Sequence, residues 1–190
     1  MAKATAKEEI GQYAARTRWY RKWHQYFGLG ALVLFVVVAA TGILLAWKKN
    51  SGGLLLADTA RGSTTKAAHW VSLALLEQNA MRYIDSLRPG QLHEIDRIDI
   101  RPDKGIAKFS FKGHYTGLQL DLGTGNLLSH EVRRSDFIER LHDGSLLDQW
   151  TGAGFLKLLW SSLAGFALLF LSWSGFKLWW NPKKIKQLKQ

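Results

Sequence analysis

Two long apolar runs lie near the two ends of the chain. All 21 residues from 27 to 47 are uncharged, and so are all 19 residues from 158 to 176. At 1.5 Å per residue, an α-helix of either length comes close to crossing a hydrocarbon core of about 30 Å. A soluble domain would have to bury such helices on every face, and this chain is too small to do so. The pattern predicts two transmembrane helices.

Between the two runs the periodicity changes. Over residues 66–87, apolar positions recur every three or four residues, which is typical of a helix with one apolar face, and Arg88-Pro89-Gly90 ends it. Residues 93–101, 106–112 and 115–122 instead alternate apolar and polar side chains, with turn residues between the runs. This middle part predicts a small α+β domain, with one helix on a three- or four-stranded antiparallel sheet.

The predicted fold class is therefore a membrane protein in which two transmembrane α-helices flank one small extracytoplasmic α+β domain. Its predicted segments, in chain order, are a cytoplasmic basic and aromatic N-terminal helix (1–26), transmembrane helix 1 (27–47), a linker (48–65), the periplasmic α+β domain (66–134), a short interfacial helix (135–149), transmembrane helix 2 (150–178) and a basic cytoplasmic tail (179–190).

The net charge of +11 is concentrated at the two ends of the chain. Residues 1–26 carry six Lys or Arg against two Glu, and residues 177–190 carry five Lys and no acid, whereas residues 48–157 are close to balance. Basic residues on short segments beside apolar spans mark the cytoplasmic side of a membrane rather than a nucleic-acid site. We expect a multi-pass membrane protein with both termini cytoplasmic, the central domain outside the cytoplasm, and the first span acting as an uncleaved signal anchor.

The composition narrows the possible chemistry. The chain contains no cysteine, which excludes disulfides, thiolate metal sites, iron–sulfur clusters and c-type haem attachment. No Walker loop, HExxH motif or dinucleotide fingerprint occurs, and no hydrolase constellation is visible, so no catalytic residue is assigned. An electron donor, if the chain transfers electrons, must be another molecule.

The histidines are the remaining candidates for cofactor binding. His24 and His142 each lie near a predicted membrane boundary, where an imidazole can either bind a haem iron or simply lie in the headgroup zone or at a helix end. Because each boundary has one histidine, and Met1 and Met81 are poorly placed, a monomer cannot supply two axial ligands to one haem. A homodimer could build two sites, one from paired His24 and one from paired His142. We expect surface or strand-filling roles for the other four histidines, His69, His93, His114 and His130.

Small residues on each predicted span allow close helix approach. Gly42 and Ala46 lie four positions apart on the first span, as do Ser161 and Gly165 on the second. These faces are suited to a homodimer interface and equally to packing of the two spans within one chain.

Several short motifs follow the order and spacing of a known family. They are Arg21-Lys22-Trp23-His24 with Thr41-Gly42-Ile43-Leu44 on the first span, Asp121-Leu122-Gly123-Thr124-Gly125-Asn126-Leu127 in the middle, and Leu141-His142-Asp143-Gly144 with Ser174-Gly175-Phe176-Lys177-Leu178-Trp179-Trp180 towards the end. Over nearly its whole length the chain resembles the PepSY-associated transmembrane family. The resemblance implies that the central module is a PepSY-like domain.

That family includes inner-membrane ferric-siderophore reductases, whose spanning helices hold b-type haem through histidines. The resemblance therefore implies haem b, with His24 and His142 as the axial ligands of the haem iron. The resemblance also implies a location in the bacterial inner membrane with the central domain in the periplasm. Those reductases have more spans than this chain, so either two copies assemble the missing helices or the chain has kept the scaffold without the haems.

Three functions are compatible with these observations. The first is a haem-binding electron-transfer protein that accepts electrons from a quinol or a cytoplasmic flavin reductase and reduces a ferric chelate, such as a ferric siderophore, in the periplasm. The second is a non-enzymatic accessory subunit that docks to a larger complex through its PepSY-like domain. The third is restraint of a peptidase, a role linked to PepSY modules elsewhere.

Overall fold

The computed structural model describes residues 2–190, and the side chains of residues 6–190. The chain divides into a helical unit, which runs up to Thr41 and resumes at Arg140, and an α+β unit, Gly42–Glu139. The helices and strands in chain order are α1 (Ala2–Ala46), α2 (Leu73–Leu87), β1 (Ile95–Arg101), β2 (Ile106–Phe111), β3 (Thr116–Asp121), β4 (Leu127–Val132), α3 (Arg134–Asp143), α4 (Ser145–Thr151) and α5 (Leu156–Leu188).

The two longest helices, α1 and α5, dominate the helical unit. Both are long and apolar enough to cross a membrane. Large apolar side chains project outward from each, including Val33, which is 74% exposed, and Phe166, which is 72% exposed. Apolar surface on this scale is unfavourable in water, so these faces are suited to contact with lipid. The two helices meet where the rings of Phe27 and Phe170 lie 4.6 Å apart.

The helices extend beyond the predicted spans. Helix α1 continues without a break from the basic N-terminal segment into the first apolar run, and α5 continues through Pro182 to Leu188. The segment predicted as one short helix, 135–149, forms parts of two helices, α3 and α4, because Gly144 between them adopts a left-handed conformation.

The α+β unit contains a four-stranded antiparallel meander in the order β1-β2-β3-β4. Its register places Phe109 of β2 between Ile98 of β1 and Leu118 of β3. The apolar face of α2 packs on this side of the sheet and forms the core of the unit, which consists of Leu76, Ala80, Ile84, Ala107, Phe109, Phe111, Leu118, Leu120 and Leu122.

Helix α2 begins later than the periodicity predicts. The expected start was near Lys66, whereas the helix begins at Leu73, after a short 3-10 turn at Ala67–His69. Two contacts explain the difference. The backbone N–H of Val71 donates to the carbonyl of Leu122 in the sheet at 2.8 Å, so this segment is extended, and the hydroxyl of Ser72 accepts from the N–H of Leu75 as the N-cap.

The polar face of the sheet is covered by part of the predicted linker. Residues 57–64, here called the strap, bond through their backbone to side chains on the strands. The N–H of Ala57 donates to Glu131, the N–H of Ala60 donates to Gln119, and Gln119 in turn donates to the carbonyl of Asp58. These contacts explain how polar side chains of β3 and β4 can be buried, because each has hydrogen-bond partners in the strap.

Burial under the strap perturbs two charged groups. Burial raises the pKa of Glu131, because desolvation of its carboxylate outweighs the attraction of Lys108 and Arg133. Burial likewise lowers the pKa of Lys108, whose ammonium donates to the Thr59 hydroxyl at 2.9 Å. Each of the two groups nevertheless has polar partners beneath the strap, the N–H of Ala57 for Glu131 and the Thr59 hydroxyl for Lys108.

Candidate functional site

His24 lies on α1 and its imidazole contacts α5. Its Nδ1 atom is 2.7 Å from the hydroxyl oxygen of Ser174. The Ser174 hydroxyl donates its own proton to the carbonyl of Leu171 at 3.2 Å, so its oxygen is available to the imidazole as an acceptor. In the tautomer with its proton on Nδ1, His24 donates to this oxygen, and the lone pair on Nε2 has no partner in this pair.

His142 lies one residue before the end of α3 and has an equivalent arrangement. Its Nδ1 atom is 2.9 Å from the hydroxyl oxygen of Thr41 and 3.1 Å from the carbonyl oxygen of Val38. A carbonyl oxygen can only accept, so Nδ1 must be the donor. Thr41 donates its hydroxyl proton to the carbonyl of Val37 at 2.6 Å, which leaves its oxygen free to accept. The proton of His142 is thereby fixed on Nδ1, and Nε2 presents a lone pair.

The chain around Gly144 holds His142 in place. Gly144 has a φ of +79°, and a Cβ atom there would lie 2.5 Å from Cγ of Trp160, so both the backbone conformation and the close approach require glycine. The indole N–H of Trp160 donates to the carbonyl of His142 at 3.2 Å. The end of α3 is thus attached to the first turns of α5.

A salt bridge stabilises the same connection between α3 and α5. The Asp143 carboxylate lies 2.6 Å from the Lys157 ammonium and accepts from the N–H of Ser145 at 2.9 Å. Burial tends to raise the pKa of Asp143, but the hydrogen bonds from Lys157 and Ser145 outweigh it and hold that pKa below its usual range. Asp143 remains ionised at neutral pH, and its partners are these groups rather than the neighbouring imidazole.

The two histidines lie at separate sites within the helical unit. Thr41, which contacts His142, is about 25 Å further along α1 than His24, at 1.5 Å per residue. One ligand group cannot contact both imidazoles over that distance. Within the described residues, no group of three or more His, Asp or Glu side chains is arranged to hold a metal ion. Each site therefore offers one imidazole nitrogen supported by a hydroxyl on a neighbouring helix.

This arrangement suits a metal-bound imidazole. A ligating histidine coordinates through one ring nitrogen and usually donates the N–H of the other to an oxygen acceptor, which fixes the tautomer and the ring orientation. His142 meets that condition through its Nδ1 contacts, and His24 meets it in the tautomer with its proton on Nδ1. The donor set fits a haem iron that takes one axial ligand from each such histidine.

The comparison with protein families identifies the chain's relatives. The model of the family described as PepSY-associated TM region matches residues 21–189, which is most of the chain. The chain belongs to this family. This match confirms the predicted resemblance. Together with the two apolar helices and the four-stranded sheet, it also confirms the predicted fold class of this PepSY-associated membrane protein, in which two membrane helices flank a small α+β domain. A comparison with curated proteins finds no match to it.

Sequence reasoning singled out the histidines of this PepSY-associated protein but not their hydroxyl partners. A signal was present, because Thr41 and Ser174 both occur in the motifs that carry the family resemblance, each directly before a glycine. The Cβ atom of an alanine at Gly175 would lie 3.7 Å from Cε1 of His24, so this glycine is part of the imidazole's immediate surroundings.

Two of the remaining histidines form a pair in the α+β unit. The Nδ1 atom of His93 is 3.1 Å from Nε2 of His114, and its Nε2 atom is 3.1 Å from the carbonyl oxygen of Arg88. Because the carbonyl can only accept, His93 donates from Nε2 and accepts from His114 at Nδ1. Burial, aided by the Arg88 guanidinium, lowers the pKa of His114. Both nitrogens of His93 are used within the fold, which is a structural role.

Proposed function

We propose that this protein is a haem-binding electron carrier of the membrane in which His24 and His142 are axial ligands of b-type haem. The observation that supports it most is the shared contact of the two imidazoles. In each, Nδ1 lies within hydrogen-bond distance of a hydroxyl on a neighbouring helix, which leaves Nε2 to bind a metal. Ser174 and Thr41 act as positioning residues, because they fix which nitrogen is available to the iron.

The proposed assembly is a homodimer or a subunit of a larger membrane complex. A six-coordinate haem needs two axial ligands, and each site on one chain supplies one histidine. In a homodimer, two copies of His24 would hold one haem and two copies of His142 a second. A haem held between two imidazoles accepts and releases single electrons at its iron. Two sites about 25 Å apart would serve the two faces of one bilayer.

The proposed topology follows from the charge distribution. The basic termini favour a cytoplasmic position, so the α+β unit would lie in the periplasm of a bacterium whose inner membrane holds the two spans. His24 would then receive electrons from the cytoplasmic side, from a quinol or a flavin reductase. His142 would lie on the periplasmic side, where a ferric chelate such as a ferric siderophore is the proposed electron acceptor.

The experiment is a dithionite-reduced minus oxidised visible spectrum of the full chain, purified in detergent from cells supplied with haem. We expect a Soret band and the sharp α-band of b-type haem. His24→Ala and His142→Ala should each remove part of the bound haem, and the double variant should remove it. His69→Ala and His130→Ala, which change exposed histidines of the α+β unit, are the matched controls and should leave the spectrum unchanged.

The two hydroxyls provide a more specific test. Ser174→Ala should retain haem but shift its reduction potential, because the imidazole loses the acceptor that orients it. Ser172→Ala, an exposed serine on the same helix, should not shift the potential. A colourless protein, or haem that both histidine variants retain in full, would contradict the proposal and favour a non-enzymatic accessory subunit that docks through its α+β unit.

A further inference from the structure

A polar cleft lies at the end of the helical unit that contains His24. It has a volume of about 280 Å³ and is enclosed by α1 and α5. Arg16 and Lys177 give it two positive charges and Asn181 gives it an amide, and the remaining lining residues are aromatic: Tyr13, Trp19, Tyr20 and Trp180. We refer to it as the basic cleft. It lies one turn or more from His24 along α1 and is a separate feature from the imidazole site.

Asn181 is the most informative residue of the basic cleft. It is only 3% exposed, and its Nδ2 atom is buried with no hydrogen-bond partner among the described side chains and backbone. Buried amide donors are nearly always paired, because desolvating an unpaired N–H is unfavourable. An unpaired donor lining a cleft therefore indicates that a ligand atom with lone pairs completes it.

The charge of the basic cleft defines the chemistry of that ligand. Arg16 and Lys177 provide two positive charges, and no Asp or Glu side chain lines the cleft in the part of the chain that the structure describes. The Lys177 ammonium instead lies 4.5 Å from the centre of the Trp173 ring. Two cations and an amide donor favour an anion with several acceptor oxygens, such as a phosphate group. No carboxylate or imidazole lines the cleft to accept the protons of a quinol, which makes a quinol a poorer fit.

A separate apolar groove lies further along the same two helices. It has a volume of about 400 Å³. On α1, Arg16 of the cleft is followed at seven-residue steps, about two turns each, by Trp23 and Gly30 of the groove. On α5, Leu163 of the groove and Asn181 of the cleft are about five turns apart. Residues separated by whole turns share one helix face, so the two cavities lie on the same side of each helix.

The length of the apolar groove matches one half of a bilayer. It extends along α1 from Trp23 to Leu34, about 16 Å at 1.5 Å per residue. Half of a hydrocarbon core of about 30 Å is of the same size. A ligand that fills both cavities would have a charged group at the membrane surface and an apolar chain that ends near the bilayer centre.

We propose that the basic cleft and the apolar groove together bind one anionic phospholipid. Its phosphodiester accepts hydrogen bonds from Arg16, Lys177 and the otherwise unpaired Nδ2 of Asn181, and an acyl chain lies in the groove. Basic pockets between spanning helices bind anionic headgroups in this way, through charge attraction combined with directional hydrogen bonds. The proposal does not depend on whether haem is bound.

Native mass spectrometry of the full chain, delipidated in a neutral detergent, tests this proposal. The probes are phosphatidylglycerol, phosphatidylcholine and inorganic phosphate. We expect one tightly bound phosphatidylglycerol and at least about tenfold weaker binding of phosphatidylcholine, whose headgroup carries no net charge. Arg16→Gln and Asn181→Leu should each weaken phosphatidylglycerol binding by about tenfold or more. Arg18→Gln, which removes the same charge from an exposed position on α1 outside the cleft, is the matched control.

A further variant tests the apolar groove. A Cβ atom at Gly30 meets nothing within 4 Å, so Gly30→Phe can fill the groove without disturbing the backbone, and it should weaken lipid binding. Circular dichroism checks that each variant keeps its helices. Equal binding of the two lipids, or equal effects of Arg16→Gln and Arg18→Gln, would overturn the proposal. Displacement of the lipid by millimolar inorganic phosphate would assign the basic cleft to free phosphate and would overturn the lipid assignment.

Discussion

The turn between β3 and β4 depends on one carboxylate, which makes Asp121→Asn an informative variant. One oxygen of Asp121 accepts from the N–H of Ser63 at 3.0 Å, from its hydroxyl at 3.0 Å and from the N–H of Gly123 at 2.9 Å. The other accepts from the Thr124 hydroxyl at 3.0 Å. Burial tends to raise the pKa of Asp121, but these hydrogen bonds outweigh it and hold the pKa below its usual value. The carboxylate thereby ties the strap to the turn.

The expected cost of Asp121→Asn follows from those four bonds. A hydrogen bond to a charged group contributes about 1.5–3 kcal/mol, compared with about 0.5–1.5 kcal/mol for a neutral one. Asparagine keeps a carbonyl oxygen for the three bonds to Ser63 and Gly123 without their charge, and it leaves the Thr124 hydroxyl without its acceptor. Because such contributions are not additive, we expect a loss of about 3 kcal/mol in the free energy of unfolding of the α+β unit.

Hydrogen exchange of the full chain in detergent, followed by mass spectrometry of peptides from β3 and β4, measures this loss. At pH 7 the variant should exchange roughly a hundredfold faster, since about 1.4 kcal/mol corresponds to a factor of ten. Asp103→Asn, in the exposed turn between β1 and β2, is the control. Because folding lowers the pKa of Asp121, its contribution is full above the unfolded value of about 3.9 and is lost as the pH falls through the lower folded value. Equal exchange in the two variants at pH 7 would refute this reasoning.

Three further predictions concern the same unit. Because folding lowers the pKa of His114, which donates to His93, the contribution of His114 to the stability of the unit should be complete above about pH 6.5 and decrease as the pH falls below it. Urea unfolding midpoints at pH 7.5 and 5.5 measure this decrease, and His114→Asn should make the two midpoints more alike. Thermal unfolding should show that Gly125→Ala destabilises the unit more than Gly90→Ala. Both glycines have positive φ, which costs alanine about 1–2 kcal/mol, but only at Gly125 does the new Cβ atom also meet a buried amide, at 2.7 Å. Phe109→Ala should cost about 3–5 kcal/mol by urea titration, since the ring is fully buried.

Local patterns were sufficient to predict the two spans and the meander. The alternation of apolar and polar side chains along β2 and β3 is visible in adjacent residues of the sequence. The two uncharged runs are too long for most helices of soluble proteins. The strap could not be predicted in this way. Its amides bond to side chains far along the chain, as in the bond from Ala57 to Glu131, so nothing in residues 57–64 alone distinguishes an ordered strap from a flexible linker. Alternation also does not indicate whether the polar face of a sheet is solvated or covered.

The two histidines of the candidate site can be picked out from the sequence, but the hydroxyl groups that contact them cannot. His24 and His142 stand out because an imidazole near a bilayer is unusual. Thr41 and Ser174 do not, because a hydroxyl in a helix ordinarily donates to a carbonyl in the preceding turn, and both residues do so. Only the tertiary contact shows that each oxygen also lies within hydrogen-bond distance of an imidazole.

The local bonds of these hydroxyls have a consequence for assembly. Because Thr41 and Ser174 can direct their protons into their own helices, each oxygen can accept from Nδ1 of His142 or His24 before any ligand binds. Under the proposed function, each chain thus presents two prearranged lone pairs, and each must be matched by a second ligand from another copy. Haem would then bind the dimer and not the monomer, so it must shift the equilibrium towards dimer by mass action. Either histidine variant should therefore weaken the dimer only when haem is present, whereas a purely structural histidine would weaken it equally without haem.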